Sequence, residues 1–264
     1  MSVLAIENLK VHFGGVHALD GVTLRMRERG VHALIGPNGA GKTTLINAIT
    51  GIYPPSEGRV LLGQRDITGL PAHKLASMGI TRTFQNLQVF WTMSVLENVM
   101  SGFHLVSKAG YFRSLVRTPG LVQRERELRD KALTLLDEVG LSARAETMAS
   151  ALAYGELKRL ELARALAVEP RFLFLDEPVA GCTAAERRRL GEVIRRLSEK
   201  TDITVVLVEH DMRLVMEISD YVTVLVQGRV LTQDLPSRVQ QDPEVIAAYL
   251  GVSREKGEPA HVAN

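Results

Sequence analysis

Val31 to Ile35 is a short apolar strand that runs straight into Gly36, Pro37, Asn38, Gly39, Ala40, Gly41, Lys42, Thr43 and Thr44. Thr43 to Ile49 then reads as a helix, with Gly51 as its stop. No other feature constrains the chain so tightly. Strand, glycine loop and helix in that order make a cradle for phosphates: glycines let the backbone wrap closely and turn its N–H groups inward. The positive end of the following helix adds to the attraction. In such a cradle Lys42 neutralises charge on the β- and γ-phosphates of a nucleotide, and the Thr43 hydroxyl is placed to ligate Mg²⁺. The competing reading, a glycine-rich turn with a surface lysine, leaves the flanking strand and helix unexplained.

Sheet character returns late in the chain. Arg171 to Leu175 and Ile203 to Val208 are near-continuous apolar runs, as expected of parallel strands covered on both faces. The helix between them puts Leu190, Val193, Ile194 and Leu197 on one face. Arg187, Arg188, Arg195 and Arg196 fall elsewhere and read as a solvated surface. Asp176 ends the first of these strands, where a carboxylate is costly unless a cation meets it, and Mg²⁺ beside the cradle is such a cation. Glu177 follows directly and is placed to orient and deprotonate an attacking water. His210 comes just after the next strand. It is either a structural histidine or a contact to the γ-phosphate, and its position one strand beyond the acidic pair favours the contact. Gln85 lies where the sheet region gives way to a helical one, and its amide could reach Mg²⁺ or the water. Phe13, in an early strand beside Gly14 and Gly15, either stacks on adenine or belongs to the core.

Between about 88 and 155 strand signals are scarce. Leu121 to Val139 has helical spacing, with Leu128, Ala132, Leu135, Leu136 and Val139 on one side and a heavily charged opposite face. This region reads as an inserted helical subdomain. Short strands with turn signals fill residues 3 to 34, a further strand starts at Val60, Tyr221 to Val226 is another, and Val245 to Leu250 is a closing helix. The end of the chain is polar and is expected to be disordered.

Among 264 residues the formal net charge is only +2, too small to argue for a nucleic-acid partner. Cys182 is the one cysteine, which excludes an internal disulfide and suits a reducing cytosol. No run of about 18 apolar residues exists to span a bilayer, and the first residues do not resemble a signal peptide. A cytosolic protein is expected, held at a membrane only through partners.

Leu152, Ala153, Tyr154, Gly155 and Glu156 have no obvious chemistry within their own chain and in isolation read as a helix-capping turn. Together with the cradle, Gln85, the Asp176–Glu177 pair and His210, in this order and spacing, they resemble the nucleotide-binding subunit of an ATP-binding cassette (ABC) transporter, from about residue 3 to 251. The resemblance implies an α/β P-loop NTPase (RecA-like) core with an antiparallel β subdomain and an inserted α-helical subdomain. The expected division is 1–87 with 156–235 as core, 88–155 as helical subdomain, 236–251 as a C-terminal helical segment and 252–264 as tail. It implies an ATPase in which residues 152–156 complete the ATP site of a second cassette, so that two subunits sandwich two ATP molecules head to tail. Gly155 would let the backbone approach a phosphate, at the head of a helix from Glu156 to about Leu166. Glu177 is then the general base, Lys42, Gln85 and His210 attend the γ-phosphate, and Thr43, Gln85 and Asp176 arrange Mg²⁺.

Finer detail is similar to branched-chain amino acid uptake cassettes of the LivG type: the run Lys158 to Arg164 after the signature, Glu209 to Met212, and the ending Ala248 to Gly251. That implies a LivF-type or identical partner cassette, transmembrane permease subunits, a solute-binding protein feeding them, and a location on the inner face of the cell membrane. Leu87, Val89, Phe90, Trp91 and Met93 would offer the permease an apolar groove, or else fill the helical subdomain's own core. Three positions depart from the broad pattern. Ala153 stands where serine is common, Glu156 replaces a usual glutamine, and Gly181-Cys182-Thr183 replaces a loop in which Leu precedes Asp or Asn. They motivate an alternative, a nucleotide-binding module with low turnover. A DNA-maintenance ATPase of the same class needs long heptad arms, for which the roughly 110 residues between Lys42 and Leu152 leave no room. A small-molecule kinase has no use for the signature.

Overall fold

The computed structural model describes residues 3–83, 87–104 and 119–250. Among the described residues ten strands form two sheets. β1 (Leu4–Phe13) and β2 (Val16–Met26) make a hairpin, and β4 (Glu57–Leu62) and β5 (Arg65–Asp66) extend it antiparallel in the order β2-β1-β4-β5. The second sheet has the order β10-β9-β3-β8-β7-β6, from β3 (Gly30–Ile35), β6 (Ile80–Arg82), β7 (Phe172–Asp176), β8 (Thr204–Val208), β9 (Tyr221–Val226) and β10 (Arg229–Asp234). It is parallel except where β10 returns beside β9. The expected strand from Val60 begins earlier and stops before Gly63, whose φ of +62° makes it a turn residue.

Alternation in the central strands divides the interior. Phe172, Phe174, Val206, Val208 and Leu34 face the antiparallel sheet and α1 (Lys42–Ile49). Their neighbours Leu173, Leu175, Val205 and Leu207 face a helical layer. That layer contains α3 (Val95–His104), α4 (Pro119–Glu138), α5 (Tyr154–Leu166) and α6 (Ala184–Lys200). Period-2 strands buried on both sides leave no polar position, which is why these runs are continuously apolar. A third cluster packs α7 (Met212–Ile218), the short α8 (Pro236–Val239) and α9 (Pro243–Leu250) against Ala33, Ile35, Val222 and Val224. The short α2 (Ala72–Ala76) precedes β6.

Within 88–104 and 119–153 the described elements are helical apart from one isolated bridge, Ser94 to Met148. Ala132 and Leu136 on α4 and Val139 just after it are buried, and Leu128 and Leu135 pack against them, the face the spacing expects. The apolar face of α6 also behaves as expected, since Leu190, Val193, Ile194 and Leu197 are all buried. Its arginines are less idle than a solvated surface: Arg187 pairs with Asp211 at 3.0 Å and Arg195 with Asp220 at 2.8 Å. No helix among the described residues is long and apolar enough to cross a membrane. The expected tail, 252–264, lies outside the described residues.

Candidate nucleotide site

β3, β7 and β8 lie side by side, so the loops leaving their carboxyl ends converge. In open α/β sheets this edge is where ligands bind. The loop after β3 wraps with φ of +151° at Gly36, +77° at Gly39 and +98° at Gly41. A Cβ at Gly36 would lie 2.0 Å from the Leu225 carbonyl oxygen, and one at Gly41 would lie 2.6 Å from that of Ala18. Side chains are therefore excluded where the loop packs on the protein. Gly39 faces open space, exposed beside Asn38, while Pro37 is half-buried and Ala40 buried. Lys42 is buried at the head of α1, and its Nζ donates to the carbonyls of Gly36 at 2.7 Å and Pro37 at 2.9 Å. Burial pushes the amine below its usual range, while Glu177 and Asp176 pull it back. Thr43 is exposed in the same turn, and the Thr44 carbonyl accepts from Tyr53 at 3.3 Å.

Asp176 ends β7 buried, and burial raises its carboxyl above the ordinary range against the pull of Arg82. Arg82, at the end of the adjacent β6, reaches Asp176 at 3.4 Å and also holds Asn47 at 2.5 Å. Among the described residues no three His, Cys, Asp or Glu side chains gather as a metal site. Mg²⁺ in nucleotide sites needs no such cage, taking one or two protein oxygens besides phosphate and water. An exposed Thr43 hydroxyl and a buried carboxylate paired only at 3.4 Å suit that donor set.

Glu177 adopts φ of +49°, uncommon for a side chain with a Cβ. Its amide donates to the Val208 carbonyl at 2.9 Å, which pins the turn and lifts the side chain away from the strand end. Its Oε1 lies 2.8 Å from His210 Nε2. His210 therefore contacts the expected general base directly. Glu209, buried beside it, accepts from the amides of Val179 at 3.0 Å and His210 at 3.0 Å, so one carboxylate joins the loops after β7 and β8. Burial raises its own carboxyl above the usual range. Gln85 lies outside the described residues. Phe13 is 51% exposed, so the core alternative is discarded. Its ring meets Tyr53 edge-on at 5.4 Å, and Tyr53 links it to α1.

Residues 152–156 sit apart from this cluster. Among the described residues, no hydrogen bond or ion pair joins them to the cradle. Leu152 is buried, Ala153 and Tyr154 are exposed, Gly155 is buried and Glu156 half-buried. The helix begins at Tyr154, two residues before the expected start, because Glu156 reaches back to accept from the Ala153 amide at 3.0 Å. Arg144 stands 3.4 Å from the same carboxylate. Glu156 thus serves as a local cap, as a glutamine could. Cys182 is buried in the helical-layer core, where burial raises its thiol above the usual range. Phe90 and Trp91 are about half exposed (47% and 48%), while Val89 is buried. Arg164 covers one face of Phe90 at 4.8 Å. Arg82, Glu209 and Glu186, described below, were missed from sequence. Only Glu209, a carboxylate at the end of an apolar strand, carried a local signal.

A glycine cradle at a strand–helix junction, with an Asp–Glu pair ending the strand two places away in the sheet, defines a P-loop nucleotide hydrolase. The ABC transporter family model matches residues 19–180, and the model described as branched-chain amino acid ATP-binding cassette transporter matches 229–255. The chain is 44% identical over 249 residues to the high-affinity branched-chain amino acid transport ATP-binding protein LivG of Salmonella typhimurium, covering 94% of this chain and 98% of that one. It is 43% identical, with the same coverage, to BraF of Pseudomonas aeruginosa. Among solved structures, a nucleotide-free ATP-binding cassette from an ABC transporter superposes with a TM-score of 0.80 at 33% identity, covering 94% of this chain and 99% of that one. A cassette in its ADP conformation gives 0.82 at 32%, covering 95% and 99%. The chain belongs to the ABC transporter ATP-binding family, in the branch that contains LivG and BraF.

Proposed function

We propose that this cassette binds and hydrolyses Mg-ATP at an interface with a second cassette and so drives uptake of branched-chain amino acids through membrane permeases. The observation that carries the catalytic part is the Glu177–His210 contact of 2.8 Å at the end of β7, beside the cradle. The solute follows from the relatives' names and from the match at 229–255.

In this reading the loop amides from Gly36 to Thr44 hold the phosphates, and Lys42 leaves the Gly36 and Pro37 carbonyls to meet them. Phe13 stacks on adenine. Thr43 and Asp176, with Gln85, hold Mg²⁺, which neutralises phosphate charge when bound. Glu177 accepts the proton of the attacking water, and His210 fixes the direction of its carboxylate. Leu152 to Glu156, unattached to their own cradle, meet the γ-phosphate held by the partner, with Gly155 N–H as donor. Support for a role between chains is that, among the described residues, their hydrogen bonds and ion pairs go to Ala149, Arg144, Ala180 in the loop after β7, Glu186 in the first turn of α6 and their own helix, none of them in the cradle. Phe90 and Trp91 offer the permease an exposed apolar surface. Residues 88–155 act as the helical subdomain that carries the signature in this scheme, with 1–87 and 156–235 as the core and 236–251 as its C-terminal segment. The partner is a LivF-type cassette or a second copy, at the inner face of the membrane.

Glu177→Gln tests the assignment. Steady-state phosphate release should fall roughly 10²–10⁴-fold, the worth of a positioned general base, while ATP still binds. Unchanged turnover would remove Glu177 from the role. Leucine uptake by cells dependent on this cassette tests the solute, and loss of the cassette should abolish it.

A further inference from the structure

The amide proposed to meet a neighbour's γ-phosphate already has an anion on it. Gly155 N donates to Glu186 Oε1 at 3.1 Å. The other carboxylate oxygen, Oε2, accepts from Thr183 N at 2.8 Å and from Thr183 Oγ1 at 2.8 Å. Glu186 therefore spans the start of α5 and the loop that follows β7. The approach is close: a Cβ at position 155 would lie 2.4 Å from Oε1 and 2.6 Å from Cδ. Any residue larger than glycine would push the carboxylate off. A second tie runs beside the first, for Tyr154 Oη donates to the Ala180 carbonyl at 3.2 Å, and a Cβ on Gly181 would lie 3.1 Å from the Tyr154 ring.

A carboxylate and a phosphate cannot share one N–H without strong repulsion. Somewhere else must receive the carboxylate, and the structure provides it. A cavity of about 470 Å³ opens beside Gly155 and Glu186, lined by three arginines, Arg159, Arg188 and Arg189, against two further carboxylates, Glu156 and Glu192. Arg188 and Arg189 have no ion pair or hydrogen bond among the described residues. We propose that Glu186 is a positioning residue: it occupies the Gly155 amide within the single chain, yields that amide to the γ-phosphate of a paired chain, and turns toward these arginines. Because the same side chain holds Thr183, its departure frees the loop after β7. The signature of one chain would thereby report the neighbour's nucleotide to Thr183, four residues beyond Val179 in the same loop that carries its own Glu177. The inference rests on the proposed role of Gly155 between chains.

The test uses the full chain carrying Glu177→Gln, with ATP-driven pairing followed by sedimentation as Mg-ATP is raised. E186Q removes the charge and leaves a single acceptor oxygen, so that Gly155 and Thr183, which now bond to different carboxylate oxygens, can no longer both be held. It should lower the ATP midpoint of pairing by roughly three- to tenfold, the weight of exchanging a charged acceptor for a neutral one. Amide hydrogen exchange at Gly155 in the unpaired chain should be faster in E186A than in the parent. An unshifted midpoint in E186Q, or Gly155 exchange indifferent to E186A, overturns the inference while leaving the role of Gly155 standing. So does an equal shift in the affinity of the dilute monomer's own cradle, which would make the effect general. A Glu177→Gln chain that never pairs at saturating Mg-ATP, alone or mixed with a second cassette, overturns both.

Discussion

Replacing Arg82 by Met should destabilise the protein, and Mg²⁺ with nucleotide should restore much of the loss. Arg82 and Asp176 are 11% and 5% exposed in their side chains, and 3.4 Å separates them. Removing one partner of a buried pair costs about 3–5 kcal/mol, because the other charge is stranded. The separation here is longer than the roughly 2.7–2.9 Å of a strong charge-assisted bond, so the lower end, about 3 kcal/mol, is expected. Part of that figure is the loss of the bonds to Asn47 at 2.5 Å and Thr50 at 3.3 Å, which no metal ion replaces. The remainder is the stranding of Asp176, which a cation at the same carboxylate relieves. Urea unfolding of parent and variant should be compared in EDTA and again with Mg²⁺ and a non-hydrolysable ATP analogue. Nucleotide stabilises both proteins by mass action, so the informative quantity is the difference between them. That difference should shrink by about half, to some 1–2 kcal/mol. A difference that is equal or larger with Mg-nucleotide would refute the idea that Arg82 holds the place of a cation beside Asp176.

Two further changes separate site from scaffold. Phe13→Ala should weaken ATP binding by about 5- to 150-fold, corresponding to about 1–3 kcal/mol for base stacking, whereas Phe13→Trp should retain it; titration with a fluorescent ATP analogue reads both. His32 is buried at 4% exposure with its ring stacked on Tyr221, and burial lowers its pKa to about 4. Between that value and 6.5 the unfolded chain binds a proton that the folded chain does not. Stability is thus complete above about pH 6.5 and falls as the pH is lowered toward 4, by about 3 kcal/mol at 1.36 kcal/mol per unit. Urea midpoints across this range should be distinctly flatter in His32→Phe, and an unchanged slope would assign the acid sensitivity elsewhere.

Phe13 and Glu156 show where reading residues in order runs out. Nothing around Phe13 distinguishes a ring in the core from one left open beside a nucleotide, and the packing of β1 against Tyr53 made the choice. The capping of α5 was hidden because the usual pattern begins with Ser or Thr, and Ala153 has no oxygen to announce it. The helix start consequently lay two residues earlier than its sequence suggested.

What the chain order alone determined was local: the glycine cradle from Gly36 to Thr44, the doubly buried strands that end at Asp176 and Val208, and the apolar face of α6. Each depends on neighbours a few positions apart, where backbone periodicity and steric freedom act directly. Only the tertiary structure decided that Arg82 meets Asp176, 94 positions away, that Glu177 meets His210 across 33, and that Glu186 reaches Gly155 across 31. Those meetings follow from the order in which β6, β7 and β8 pair and from how α5 lies over α6. Sheet order is set by burying the whole apolar surface at once, so no short stretch of sequence encodes it.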